Sequence, residues 1–135
     1  MAGWEDVQAF ALALPDTDET LSRGMRFWRV AGRPKPKLFV WERPLRSSDL
    51  RALGAGAPDG PILGARVEHL GAKEALLAAD PGVYFTTPHF EGFPAVLVML
   101  ERIARDELEE LVIDAWLARA PARLASEYLA QRSRP

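Results

Sequence analysis

His89 is the residue whose type and setting come nearest to chemistry. It lies in Thr86-Thr-Pro-His-Phe-Glu-Gly-Phe-Pro94, with Thr86, Thr87 and Glu91 close in sequence. An imidazole that titrates near neutrality beside an orienting carboxylate is the equipment of general acid/base catalysis. No serine or cysteine in a nucleophile motif accompanies it. The same polar side chains also serve to satisfy the backbone of a stiff, proline-containing loop. His89 therefore reads as structural or ligand-lining, and no catalytic residue is assigned. The chain has only two histidines, His69 and His89, and no cysteine. Neither a His-Glu-x-x-His helix nor a zinc-ribbon spacing is present, and a two-histidine site would need Glu68 or Glu91 to converge in space. Gly54-Ala-Gly56 lacks the third glycine of a dinucleotide fingerprint, and no P-loop lysine follows a glycine-rich turn. No metal or cofactor is expected.

A second chemistry is suggested by charge. Between Ser22 and Arg51 stand nine basic residues, Arg23, Arg26, Arg29, Arg33, Lys35, Lys37, Arg43, Arg46 and Arg51, against Glu42 and Asp49. That segment carries +7, while the rest of the chain carries −9 and the whole −2. A local positive field steers an anionic partner even when the protein is acidic overall. Arg23, Arg26, Arg29, Arg33, Lys35, Lys37 and Arg43 are the candidate nucleic-acid or anion contacts. Phe27, Trp28, Phe39 and Trp41 are interleaved with them, as in surfaces that grip phosphates and stack bases. The competing reading buries the aromatic rings and leaves the arginines on a solvated edge or paired with carboxylates from elsewhere. Arg26, Trp28 and Val30 alternate with Met25, Phe27 and Arg29, so neither face is cleanly polar and at least one arginine must lie near apolar surface.

These residues need elements to hold them. Trp4, Val7, Phe10, Ala11 and Leu14 fall at helical spacing, which predicts a helix over 4–14 that stops at Pro15. Asp16 to Glu19 read as an acidic turn. Met25–Val30 and Lys37–Trp41 are rich in β-formers and predict two antiparallel strands joined by a Pro-containing connection. Ser47 or Ser48 is expected to cap a short helix through Leu53, followed by an exposed Gly/Pro loop to Pro61. A third strand is predicted over 62–70, then a short helix ended by Asp80-Pro-Gly82. Strands over 83–86 and 95–100 follow, the second apolar at every position as in a strand covered by helices. A helix is predicted from Asp106, capped by that carboxylate with Glu109 in capping-box position, and its stripe is Leu108, Leu111, Val112, Ala115 and Trp116. Pro121 opens a last helix with Leu124, Tyr128 and Leu129 facing inward. Glu107, Glu109, Glu110 and Asp114 read as a solvated helix face. The expected architecture is α+β: a largely antiparallel sheet of about five strands packed against N-terminal and C-terminal helices.

The whole chain, residues 1–135, is of single-domain size and of ordinary globular composition, 48% hydrophobic and 27% charged. The absence of cysteine excludes a disulfide framework and thiolate chemistry. The acidic start, with no long apolar segment after it, does not match a signal peptide, and the apolar run Ala95 to Leu100 is far below the roughly 20 residues of a membrane helix. A cytoplasmic location is expected.

Thr86 to Pro94, the apolar strand from Ala95, Asp106-Glu-Leu with Ala115-Trp116, Phe39-Val-Trp-Glu-Arg-Pro-Leu45 and Arg66-Val67 with Lys73-Glu-Ala-Leu76 resemble the MmcQ/YjbR family, in order and over nearly the whole chain. The resemblance implies a compact α+β fold with an antiparallel sheet on helices. It implies DNA binding through a double-wing motif as the role, and brings no catalytic residues with it.

Three readings result. One is a DNA- or polyanion-binding module using segment 23–51. The alternative is a small-ligand or protein-interaction domain with a site near loop 86–94, lined by Trp28, Trp41, Thr87, His89 and Phe90. The third, an enzyme with His89 as base, lacks a second catalytic group. The expected partners are nucleic acid or another anion, without a membrane, and the chain is expected as a monomer or homodimer.

Overall fold

The structure, a computed structural model, describes residues 2–133. Trp4–Leu12 form α1, and three strands follow, β1 (Thr17–Ser22), β2 (Met25–Val30) and β3 (Lys37–Glu42). Then come α2 (Ser47–Leu53), β4 (Ile62–Arg66), α3 (Leu70–Ala79), β5 (Tyr84–Phe85), β6 (Ala95–Met99), α4 (Arg105–Arg119) and α5 (Ala122–Arg132). The six strands make one antiparallel sheet in the order β1-β2-β3-β4-β6-β5. The α+β architecture with helices on a largely antiparallel sheet is as expected, with one strand more.

That strand is β1, where an acidic turn was expected over 16–19. Asp18 and Glu19 do not end the chain segment, because each finds a partner directly across the ladder. Asp18 lies opposite Arg29 and Glu19 opposite Trp28. The carboxylate of Asp18 accepts from Arg29 Nε at 3.2 Å, and that of Glu19 from Trp28 Nε1 at 2.8 Å. Cross-strand partners of this kind offset the low β-propensity of acids. The hairpin closes through Arg23 and Gly24, whose φ values of 54° and 77° give the twist that a two-residue turn requires.

Smaller differences have local causes. Residue 12 ends α1. The expected third strand stops at Arg66, and His69 instead caps α3, its Nδ1 accepting from Ala72 N at 3.0 Å. Ser47 and Ser48 do not cap α2; the Asp49 carboxylate reaches back to the Arg46 N–H at 2.8 Å. Arg105, one residue earlier than expected, opens α4, so Asp106 is inside the first turn and accepts from Glu107 N. Leu129 is 47% exposed rather than inward.

The core has two parts. The larger joins α1, α4 and one sheet face through Val7, Trp28, Val30, Phe39, Val40, Val96, Val98, Val112 and Trp116. Phe39 and Val40 both enter it because the β2–β3 register shifts beside Trp28. The smaller lies on the opposite face and comprises Trp41, Ile62, Phe90, Ala95 and Leu97. The fully apolar β6 is thus buried on both sides, as its composition demands, but its second cover is the loop 86–94 with α2 beside it, not a helix layer.

Candidate functional site

The loop 86–94 folds over the smaller core cluster and leaves a cavity of about 430 Å3 beside it. Trp41, Phe90, Phe93, Phe27 and Leu38 supply apolar walls, and Arg43, Arg46, Arg66, Arg119, His89 and one acid, Glu42, supply polar ones. The volume lies in the range of small-molecule sites.

A lysine holds the loop. Lys73 projects from α3 into the protein, is 6% exposed, and its Nζ donates to the carbonyls of Phe90 (2.5 Å) and Phe93 (2.9 Å). These bonds fix the two rings that form the cavity roof, which lie 6.3 Å apart. Burial lowers the pKa of Lys73 below that of a free lysine, with Glu91 opposing the shift. His89 packs edge-on against Phe90 with ring centroids 4.8 Å apart.

The second wall is built by Arg43, which leaves β3 at its C-terminal end. It is 4% exposed, its Nη1 lies 3.0 Å from Asp49 Oδ2, and the same nitrogen donates to the Pro44 carbonyl at 2.6 Å. Its guanidinium stands 5.2 Å from the Phe90 ring centre, and its Nη2 is buried with no hydrogen-bond partner among the described residues. Burial would raise the Asp49 carboxyl, yet the Arg46 N–H and the Arg43 guanidinium hold it below the usual carboxylate range. Thr87 Oγ1 approaches the same carboxylate without a well-aligned hydrogen bond.

Two further arginines come from far along the chain. Arg66, the last residue of β4, stacks on Phe93 at 4.6 Å, and its Nε is buried with no hydrogen-bond partner among the described residues. Arg119, at the end of α4, donates from Nε to the Leu38 carbonyl at 3.2 Å. Burial first, and then the charge of Arg119, lower the pKa of Arg66. Among the described residues neither cation makes an ion pair. The lining acid, Glu42, is held by Arg26 at 2.9 Å, and two like charges that no carboxylate engages are stabilised by an anion that enters.

Of the expected ligand-lining residues, Trp41, His89 and Phe90 share this cavity. Trp28 does not: it lies in the core on the other sheet face, stacked on Trp4 at 6.5 Å. Thr87 is buried behind the wall and is not among the residues lining the cavity. Of the expected anion contacts only Arg43 reaches it. Arg26 is held by Glu42 at 2.9 Å and covers the Trp4 and Trp28 rings, and Arg29 is held by Asp18. Arg23 lies in the β1–β2 turn, while Arg33 and Lys35 are exposed in the connection at the other end of β2, and Lys37 is half-buried at the start of β3. About 20 Å of strand separates those two ends, so these cations do not form one patch.

Sequence reasoning missed Lys73, Arg66 and Arg119. Signals existed for two of them. Lys73 shares a helix stripe with Leu76 and Leu77, and Arg119 continues the stripe of Val112, Ala115 and Trp116; a cation on an apolar stripe is a cation drawn inward.

Fold and cavity together define a small α+β domain with an open antiparallel sheet and one aromatic, arginine-lined cleft. The same fold is seen in the crystal structure of the Deinococcus radiodurans protein DR2400, a DUF419 domain, at a TM-score of 0.64 and 20% identity, over 87% of this chain and 78% of that one. The chain is 51% identical over 133 residues to the uncharacterised proteins Rv2570 of Mycobacterium tuberculosis and Mb2600 of Mycobacterium bovis, covering 96% of this chain and 98% of theirs. It belongs to the family of these mycobacterial proteins. The chain matches no protein-family model. Among the described residues no helix is long and apolar enough to cross a membrane.

Proposed function

We propose that this chain is a single-domain cytoplasmic binding protein of MmcQ/YjbR type, and that it takes a small organic anion with a flat apolar body into the cavity under loop 86–94. The observation that carries this reading is the pairing of Arg66 and Arg119: two cations without carboxylate partners at the edge of an aromatic cavity, one with a buried Nε that lacks an acceptor. An anionic head between them would face two guanidinium groups that no carboxylate engages, and a planar body would lie against Phe90, Phe93 and Trp41. Arg66 and Arg119 also stand where a bidentate carboxylate or phosphate contact favours arginine over lysine.

The test is thermal denaturation with benzoate, AMP and inorganic phosphate as probes. A ligand at 100 times its Kd adds about 2.7 kcal/mol of stability. The wild type gains a shift with the aromatic anions and a smaller one with phosphate, and Arg66→Met and Arg119→Met abolish both. Equal shifts in wild type and both variants, or none with any probe, would overturn the reading.

A nucleic-acid role draws on the exposed Arg23, Arg33 and Lys35 and on the family resemblance. With Arg26, Arg29 and Arg43 already engaged by acids, such binding would lean on at most six cations of the segment, Arg23, Arg33, Lys35, Lys37, Arg46 and Arg51. Its slope of log K against log salt on duplex DNA would then be no steeper than about −5.

A further inference from the structure

A second groove, of about 940 Å3, runs between α3 on one side and α4 and α5 on the other, and among the described residues only Arg66 borders both it and the first cavity. Ala72, Ala75 and Ala79 recur at i, i+3 and i+7 along α3 and face Leu111, Leu117 and Ala118 of α4. Among the described residues the rim carries Glu68, Asp80, Glu107, Glu110 and Asp114 against one cation, Arg66. Glu110 meets Arg132 at 3.0 Å and Glu107 accepts from the Tyr84 hydroxyl, while the side chain of Glu68 is 81% exposed. Burial, then Glu110 and, more weakly, Glu68 hold the Asp114 carboxyl above the usual carboxylate range, with Arg132 opposing. The negative field along this groove is therefore only partly neutralised within the chain.

We propose that the groove docks a basic amphipathic helix of another protein. A helix can approach closely only where the surface beneath it has small side chains, which the α3 alanines provide. Its apolar stripe finds the leucines of α4, and its flanking lysines or arginines meet the carboxylate rim. A second copy of this chain is a poorer fit. Acids occupy the first turn of α1, Lys73 of α3 is buried and α4 is acidic along its exposed side; α2 has only seven residues, and α5 has Arg123 and Arg132 engaged by Glu127 and Glu110. An anionic membrane surface is repelled by the same rim.

The probe is a fluorescent helical peptide of about 16 residues with Leu at i, i+3, i+4 and i+7 and Lys elsewhere, titrated with the full chain by anisotropy. Expected is binding that Glu68→Lys/Asp114→Lys weakens about tenfold or more, and that is lost when Glu replaces Lys in the peptide. Glu5→Lys/Glu101→Lys, which makes the same charge change away from the groove, leaves affinity unchanged. Absence of binding at low salt overturns the proposal, as does equal weakening by the two double variants, which would mark a diffuse attraction to an acidic protein. Concentration-dependent self-association in sedimentation that Asp114→Lys abolishes would give the groove to a second copy and overturn it as well.

Discussion

Trp41 on β3 lies over Gly64, its cross-strand neighbour on β4, so closely that a Cβ at Gly64 would stand 2.3 Å from the indole Cε2. Missing side-chain volume on one strand is what lets the ring lie against the sheet and form the floor of the cavity. Gly64→Ala must push the indole into the cavity or bend the strand. Overpacking of this kind costs about 1–3 kcal/mol. The expected outcome is a lower urea midpoint, altered tryptophan fluorescence, and loss of the anion-dependent thermal shift.

Lys73→Met keeps the aliphatic stem but removes both donors to the Phe90 and Phe93 carbonyls. Hydrogen bonds from a charged group are worth about 1.5–3 kcal/mol each, so a loss of ~3–6 kcal/mol is expected for the two. Hydrogen exchange should accelerate selectively in residues 86–94 while the β2–β3 ladder stays protected, because the loop is held from α3 and the ladder is not.

The Arg43–Asp49 pair sets an acid limit. Asp49 is held below its unfolded value of 3.8. Its stabilising contribution is therefore complete above that pH and is lost as pH falls through the lower, folded value. Asp49→Asn removes this part of the acid transition. At neutral pH it also leaves the Arg43 charge buried without its counter-ion, which costs about 3–5 kcal/mol. Chemical denaturation of wild type and variant between pH 2.5 and pH 7 (about 0.5-unit steps suffice) reads both effects.

Asp114 has the opposite sign. Its folded value lies above 3.8, so the ionised carboxylate is disfavoured in the folded chain. It weighs least on stability below the unfolded value and most once pH has risen through the folded one. Asp114→Asn should raise the melting temperature at pH 7 and leave it nearly unchanged at pH 3, a contrast that calorimetry at the two pH values measures.

The elements set by local pattern were legible. The spacing of Met25–Val30 and Lys37–Trp41 places two strands within a residue of their observed bounds, and the stripe from Leu108 to Trp116 lies within α4, which opens one residue before Asp106 and runs on to Arg119. Period and propensity act over short stretches, so the chain declares them locally. Trp41, His89, Phe90 and Arg43 were also flagged by type, and they do meet in one cavity. Trp28 was not separable from Trp41 in sequence. Which sheet face each ring takes depends on the register shift beside Trp28, and that belongs to the pairing of two strands.

What the amino-acid order alone determined is the inventory: an α+β domain, one unusually basic aromatic hairpin, one stiff loop, and no thiol chemistry. What only the tertiary structure decided is the pairing of charges. Arg26, Arg29 and Arg43 were drawn to Glu42, Asp18 and Asp49, while Arg66 and Arg119, 53 residues apart in the chain, were left at one cavity with no carboxylate partner among the described residues. Coulomb energy depends on distance through space and on burial, and neither quantity exists until the sheet has closed.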